Sequence, residues 1–102
     1  MTNLKPVFVI DGQRFDNLEG FWDEVSRELV PGAKWGRNLD ALNDILRGGF
    51  GTPVGGFTLK WLHADRSKME LGPELFATLV EVIGAHGAGG TEAQDGVVLE
   101  LL

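Results

Sequence analysis

The sequence predicts an α/β fold of three layers, in which helices pack around a three-stranded parallel sheet. Three short segments rich in apolar and β-branched residues, at 7–10, 57–62 and 97–102, are typical of strands. Segments with helical spacing of apolar residues separate them, and this alternation favours a parallel sheet with right-handed crossovers. The length of 102 residues, with 43% hydrophobic and 24% charged, predicts one domain spanning 1–102 with a modest core.

The charge and the cysteine count restrict the classes of partner and chemistry. The net charge of −6 argues against nucleic acid and membrane as direct partners, because both attract basic surfaces, and it suits a basic partner. The absence of cysteine excludes disulfides, thiolate metal sites and thiol nucleophiles. The first residues lack the apolar segment of a signal peptide, so we expect a cytoplasmic location.

The first strand and the first helix have clear boundaries. The continuous apolar run at 7–10 predicts a strand buried on both faces, and Asp11-Gly12 predicts the turn that closes it. Asp16-Asn17 opens a helix, with Glu19 in capping-box position three residues after Asp16. Pro31-Gly32 ends this helix. Its predicted buried stripe consists of Leu18, Phe21, Val25 and Leu29.

Residues 38–47 carry the most informative pattern of the chain. Asn38 is the predicted N-cap of a second helix. Asp40 and Asp44 follow on one face, four residues apart, where two like charges cost a helix roughly 0.2–0.5 kcal/mol. On another face, Leu39, Leu42 and Leu46 recur at i, i+3 and i+7 and predict a buried stripe.

Three interpretations of the two aspartates are open at this point. They lie on a solvated helix face, where the helix dipole favours Asp40 and where Asp44 pairs with Arg47 or Arg37. Alternatively, they are presented to a molecule outside the fold. A pair of catalytic carboxylates is the third interpretation, but it needs an apolar pocket around one of them, and no such pocket is evident from the sequence.

The remaining elements follow from glycine and proline positions. Gly48-Gly49 ends the second helix by a left-handed glycine, and residues 48–56 form a glycine-rich loop. Residues 63–69 predict a short helix, and Pro73 begins the last helix. A second glycine-rich loop at 84–96 leads into the final strand.

Other familiar chemistry finds no support in the sequence. The glycine-rich stretch at 48–53 follows a helix and lacks Gly-Lys-Ser/Thr, so it does not predict a phosphate loop. His63 and His86 lie at no metal-ligand or catalytic spacing. We therefore predict no metal, no cofactor and no catalytic residue. Trp35 either packs against the helix start or provides a rigid aromatic side chain at the edge of a binding surface.

The second helix resembles the signature of the barstar family, intracellular inhibitors of small secreted microbial ribonucleases, through Gly36-x-Asn38-Leu39-Asp40-Ala41-Leu42-x-Asp44-x-Leu46. Segments 7–12, 57–61 and 97–102 are similar to the strands of that family in order and spacing. The resemblance implies a barstar-like fold and an inhibitor that is not an enzyme. It places Asp44 in the phosphate site of the nuclease, Asp40 beside it, and Glu81 as the contacting acid of the last helix. The full set of predicted partner-binding residues is Lys34, Trp35, Gly36, Asn38, Leu39, Asp40, Asn43, Asp44, Arg47 and Glu81.

Three of these positions depart from the family pattern. Asn43 stands where an aromatic is common, Lys34 replaces an aromatic before Trp35, and Arg47 replaces a small polar residue. Two cations beside the carboxylates predict a partner that differs from the best-known nuclease or that carries acids opposite them. We expect a monomer that forms a 1:1 complex with a secreted ribonuclease having a basic cleft. The alternative is a barstar-like module for a different toxin or regulatory partner.

Overall fold

The computed structural model describes residues 5–48, 51–53 and 55–102 and confirms the predicted order of elements. Short 3₁₀ turns at Gly12–Arg14 and Ala93–Asp95 complete the connections. The strands and α-helices are β1 (Val7–Asp11), α1 (Leu18–Glu28), α2 (Leu39–Leu46), β2 (Thr58–Leu62), α3 (Ala64–Leu71), α4 (Pro73–Gly84) and β3 (Val98–Leu101).

The three strands form a parallel sheet in the order β1-β2-β3, which confirms the predicted α/β class. Leu59 of β2 lies between Phe8 and Leu99, and Trp61 lies between Ile10 and Leu101. Because side chains alternate along a strand, these residues share one face of the sheet. That face provides the buried sheet residues Ile10, Leu59 and Trp61 to a core shared with the helices.

The prediction that the first strand is buried on both faces is wrong. Val7 and Val9 point to the opposite face of the sheet and are 53% and 37% exposed. A continuous apolar run fits a strand with two covered faces, but β1 is an edge strand, and Ile10 is its one fully buried residue. Val98 of β3 is on the same open face as Val7 and is 42% exposed.

The start of α1 also differs from the prediction by one residue. Asn17 is the N-cap, and its side-chain oxygen accepts a hydrogen bond from the Gly20 amide at 2.8 Å. Asp16 lies outside the helix and pairs with Arg66 at 2.6 Å. The capping box of Asp16 and Glu19 is therefore not formed.

The later elements lie close to their predicted positions. The short helix α3 runs from Ala64 to Leu71, two residues beyond its predicted end, and α4 begins at Pro73 as expected. Gly48 has a φ of 93°, so the predicted left-handed glycine after α2 is confirmed. Part of the predicted loop at 48–56 (49, 50 and 54) lies outside the described residues. Among the described helices, none has the length and apolar character needed to cross a bilayer.

Candidate functional site

The helix α2 is held at both its start and its inner face. The Asn38 side chain accepts a hydrogen bond from the Ala41 amide at 2.8 Å, and its own amide donates to the Gly36 carbonyl at 3.3 Å. This confirms the predicted N-cap. On the inner face Leu42 and Leu46 are 1% exposed, so the helix is fixed to the core. Side chains on its outer face are therefore presented from a rigid support.

Gly36 lies close against this cap. A Cβ atom at position 36 would lie 3.0 Å from Asn38 Nδ2 and 3.2 Å from Ala41 Cβ. Both distances are tighter than ordinary van der Waals contact, so a larger residue would press on the capping side chain. The glycine of the sequence motif thus serves the start of α2.

Asp40 and Asp44 are both exposed on the outer face of α2. Asp44 has a side-chain exposure of 55% and pairs with Arg47 at 3.0 Å. Within the described part of the chain, Asp40 has no ion-pair partner. Both carboxylates are exposed, so neither lies in the apolar pocket that the catalytic interpretation requires.

Trp35 packs the connection between α1 and α2 against α1. Its indole Nε1 donates a hydrogen bond to Ser26 Oγ at 2.7 Å, and its ring meets Trp22 edge-on with the centroids 5.6 Å apart. Ser26 in turn donates to the Trp22 carbonyl at 2.8 Å. Trp35 therefore fixes the chain that leads into α2, but it does so against α1 and not against the start of α2 as the first predicted role had it. The side chain is half-buried, so part of it stays accessible.

Arg37 ties the same connection to α1 and not to Asp44. It has a positive φ of 52° and pairs with Glu19 at 2.9 Å and Asp23 at 2.5 Å. The hydrogen bond to Asp23 is the main cause that raises the pKa of Arg37 above its usual value. Of the two arginines proposed as partners of Asp44, only Arg47 makes the contact.

Arg47 joins α2 to the segment after α4. Its Nε and one terminal nitrogen donate to the two carboxylate oxygens of Glu92 at 2.9 and 3.0 Å, and the other terminal nitrogen donates to Asp44 at 3.0 Å. The hydrogen bond to Glu92 is the main cause that raises the pKa of Arg47, and the same bond lowers the pKa of Glu92. Sequence reasoning missed Glu92, because 45 residues separate the two partners and no local pattern connects them.

Asn43 connects α2 to a buried histidine. Its side-chain oxygen lies 2.8 Å from His86 Nε2, and His86 Nδ1 lies 2.6 Å from an Asp95 carboxylate oxygen. His86 is fully buried, whereas Asn43 is partly exposed. The side-chain oxygen of Asn43 is therefore used inside the protein.

The same region contains a grouping of possible metal ligands. One ligand atom each of His86, Glu92 and Asp95 lies within 4.8 Å of the others. The linear spacing of the histidines did not indicate this group. Glu92 is bonded to Arg47, and both ring nitrogens of His86 have hydrogen-bond partners. The residues that could hold a cation are thus engaged with one another and with the Arg47 guanidinium.

The other predicted partner-binding residues surround α2. Lys34 is exposed in the connection before the helix, and Leu39 at its first turn is 37% exposed. Leu39 therefore does not belong to the buried stripe, in contrast to the prediction. Glu81 is exposed on α4, which packs beside α2. Glu92 is the acid that the structure brings next to Asp44, through Arg47.

These features define an α/β protein whose capped helix presents the carboxylates of Asp40 and Asp44 to solvent. The family model described as Barstar (barnase inhibitor) matches residues 5–101. The chain therefore belongs to the barstar family. No match was found among curated proteins.

Proposed function

We propose that this protein inhibits a small secreted ribonuclease by inserting the carboxylates of α2 into the basic cleft that binds RNA. The observation that carries the proposal is the exposed pair Asp40 and Asp44 on a helix capped by Asn38, in a chain of the barstar family. A nuclease that holds RNA phosphate uses cationic side chains, and carboxylates fixed at the right spacing replace the phosphate charge without offering a bond to cleave.

The rigid support of α2 favours tight binding. Binding costs entropy when mobile side chains or loops become ordered, and a helix fixed by its cap and its buried leucines loses little. Trp35 and Gly36 maintain the connection and the cap that position this helix. Asp44 would fill the phosphate site, with Asp40 beside it, and Lys34, Leu39, Asn43, Arg47 and Glu81 would form the surrounding contact surface.

The proposed setting is the cytoplasm of the cell that makes the nuclease. An inhibitor present there protects cellular RNA until the enzyme is exported. We propose a 1:1 complex of one monomer with one nuclease, formed by this single domain. No cofactor takes part in the proposed mechanism.

One observation favours a second candidate function. Lys34 is exposed and Arg47 lies against Asp44, so two positive charges stand on the surface that would meet a basic cleft. This arrangement also fits a barstar-like module whose partner, a different toxin or a regulatory protein, is less basic or carries acids of its own.

Inhibition assays with Asp44→Ala test the proposal. Against a ribonuclease that wild type inhibits, the variant should bind more weakly by about 2 kcal/mol or more, a loss of at least about 30-fold in affinity. Its free energy of unfolding should change by less than about 1 kcal/mol, because Asp44 makes only an exposed ion pair. RNA cleavage and urea denaturation measure the two quantities.

Asp65→Ala is the matched control, since Asp65 is an exposed aspartate in the first turn of α3. It should leave inhibition unchanged. Equal inhibition by wild type and Asp44→Ala would reject the role of Asp44. Binding of a small nuclease without inhibition would instead favour the second candidate.

A further inference from the structure

Arg47 is shared unequally between two carboxylates at the proposed binding surface. It makes two hydrogen bonds to Glu92, at 2.9 and 3.0 Å, and one to Asp44, at 3.0 Å. The side chains of Asp44, Arg47 and Glu92 are 55%, 44% and 30% exposed. An incoming cation can therefore reach Asp44 without displacing any buried group.

On the basis of the proposed function, we propose that Arg47 competes with the cation of the partner for the Asp44 carboxylate. Glu92 retains Arg47 when the partner binds. The Arg47–Glu92 pair would then determine how strongly a cationic group of the partner must attract Asp44 in order to displace Arg47 from it. Glu92 acts here as a positioning residue, because it controls where the Arg47 guanidinium lies and need not touch the partner.

The geometry explains why Glu92 would keep Arg47. A bidentate pairing of guanidinium and carboxylate is stronger and better oriented than a single bond, so the bond to Asp44 breaks first. The pKa of Arg47 is raised chiefly by its hydrogen bond to Glu92, so the group stays charged. While Glu92 holds Arg47, the release of Asp44 breaks only one exposed ion pair. The free energy of such a pair is small.

The competition predicts opposite signs for two substitutions. Arg47→Ala removes the competitor, so affinity for a basic nuclease cleft should rise roughly two- to fivefold, within the range of one exposed ion pair. Glu92→Gln removes the charge that retains Arg47, so the guanidinium moves toward Asp44 and affinity should fall by a similar factor. A merely structural clamp would lose affinity in both variants.

The double variant Arg47→Ala with Glu92→Gln separates positioning from direct contact. If Glu92 acts only through Arg47, then Glu92→Gln has no effect on affinity once Arg47 is absent. The double-mutant cycle is measured from the dissociation constants and association rates of the four proteins with one barnase-type ribonuclease that wild type inhibits. Arg14→Ala, which removes an exposed arginine paired with Glu28, is the charge-matched control and should leave affinity unchanged.

Weaker binding by Arg47→Ala would overturn the inference, and so would an effect of Glu92→Gln that persists without Arg47. Failure of the proposed function has a different signature, because wild type would then inhibit no ribonuclease. In that event the same four proteins are titrated with an oligo-arginine peptide, and binding is followed by the NMR amide resonances of α2. The competition again requires tighter peptide binding by Arg47→Ala, and unchanged binding would overturn it.

Discussion

At the residue scale, one capping side chain holds the first turn of α2, which carries Asp40. The Asn38 oxygen satisfies the Ala41 amide, which no carbonyl within the helix can reach. We expect Asn38→Ala to lower the free energy of unfolding by about 1 kcal/mol. It should also weaken nuclease binding, because the first turn that carries Asp40 would fray. Urea denaturation and inhibition assays measure the two effects.

Asn17 provides the control for this prediction. It caps α1 by the same bond, to the Gly20 amide at 2.8 Å, but α1 carries none of the proposed contacts. Asn17→Ala should therefore cost a similar free energy of unfolding and leave inhibition intact. A loss of inhibition in both variants would show that the effect is not specific to the cap of α2.

Sequence patterns identify those residues of the candidate site whose signals lie within one helix. Asn38, Asp40 and Asp44 lie within seven consecutive positions, where helical spacing relates each to the others. Glu92 meets Arg47 across 45 residues and His86 meets Asn43 across 43, and no periodicity links such pairs. Contacts of this kind depend on how α2 and the segment after α4 pack together.

At the element scale, the kind of each strand and helix followed from local pattern, whereas the environment of each face did not. Residues 7–10 predict a strand correctly, because β-branched and aromatic residues fit a pleated backbone. Whether Val7 and Val9 are covered depends on what packs above the sheet, and both are exposed. The one-residue error at the start of α1 arose because Asp16 and Asn17 are both good caps.

The ion pair of Arg47 and Glu92, which joins α2 to the segment after α4, should depend on pH. Arg47 holds the pKa of Glu92 below its ordinary value of 4.5 in the folded protein. A pKa lowered by folding adds stability that is complete above the unfolded value and is lost as the pH falls through the lower, folded value. We therefore expect the difference in unfolding free energy between wild type and Arg47→Ala to shrink as the pH falls from about 6 to about 3.

Urea denaturation of both proteins across this range measures the difference. Carbon-13 resonances of the Glu92 carboxyl provide a second readout, since its pKa should rise toward 4.5 in Arg47→Ala. A stability difference that stays constant with pH would show that the ionised form of Glu92 contributes nothing to the stability gained from its pairing with Arg47.

At the scale of the whole molecule, the short-range contacts of α2 with a partner and the long-range attraction of that partner depend on different charges. The contact surface of α2 is partly neutralised by Arg47, but the chain as a whole carries a net charge of −6. Local pairing cancels short-range fields, while the net charge still acts over a Debye length of about 10 Å at 0.1 M salt. Long-range steering of a basic partner therefore does not require Asp44 to be unpaired.

Ionic strength tests this division of roles. Screening shortens the Debye length to about 3 Å at 1 M salt, so the association rate with a basic nuclease should fall at least about tenfold between 0.01 M and 1 M salt. The dissociation rate should change much less, because the docked carboxylates are shielded from solvent. Stopped-flow fluorescence measures the first rate and competition with excess inhibitor the second. An association rate independent of salt would exclude electrostatic steering, and a dissociation rate that rose as steeply would show that the bound carboxylates remain in contact with solvent.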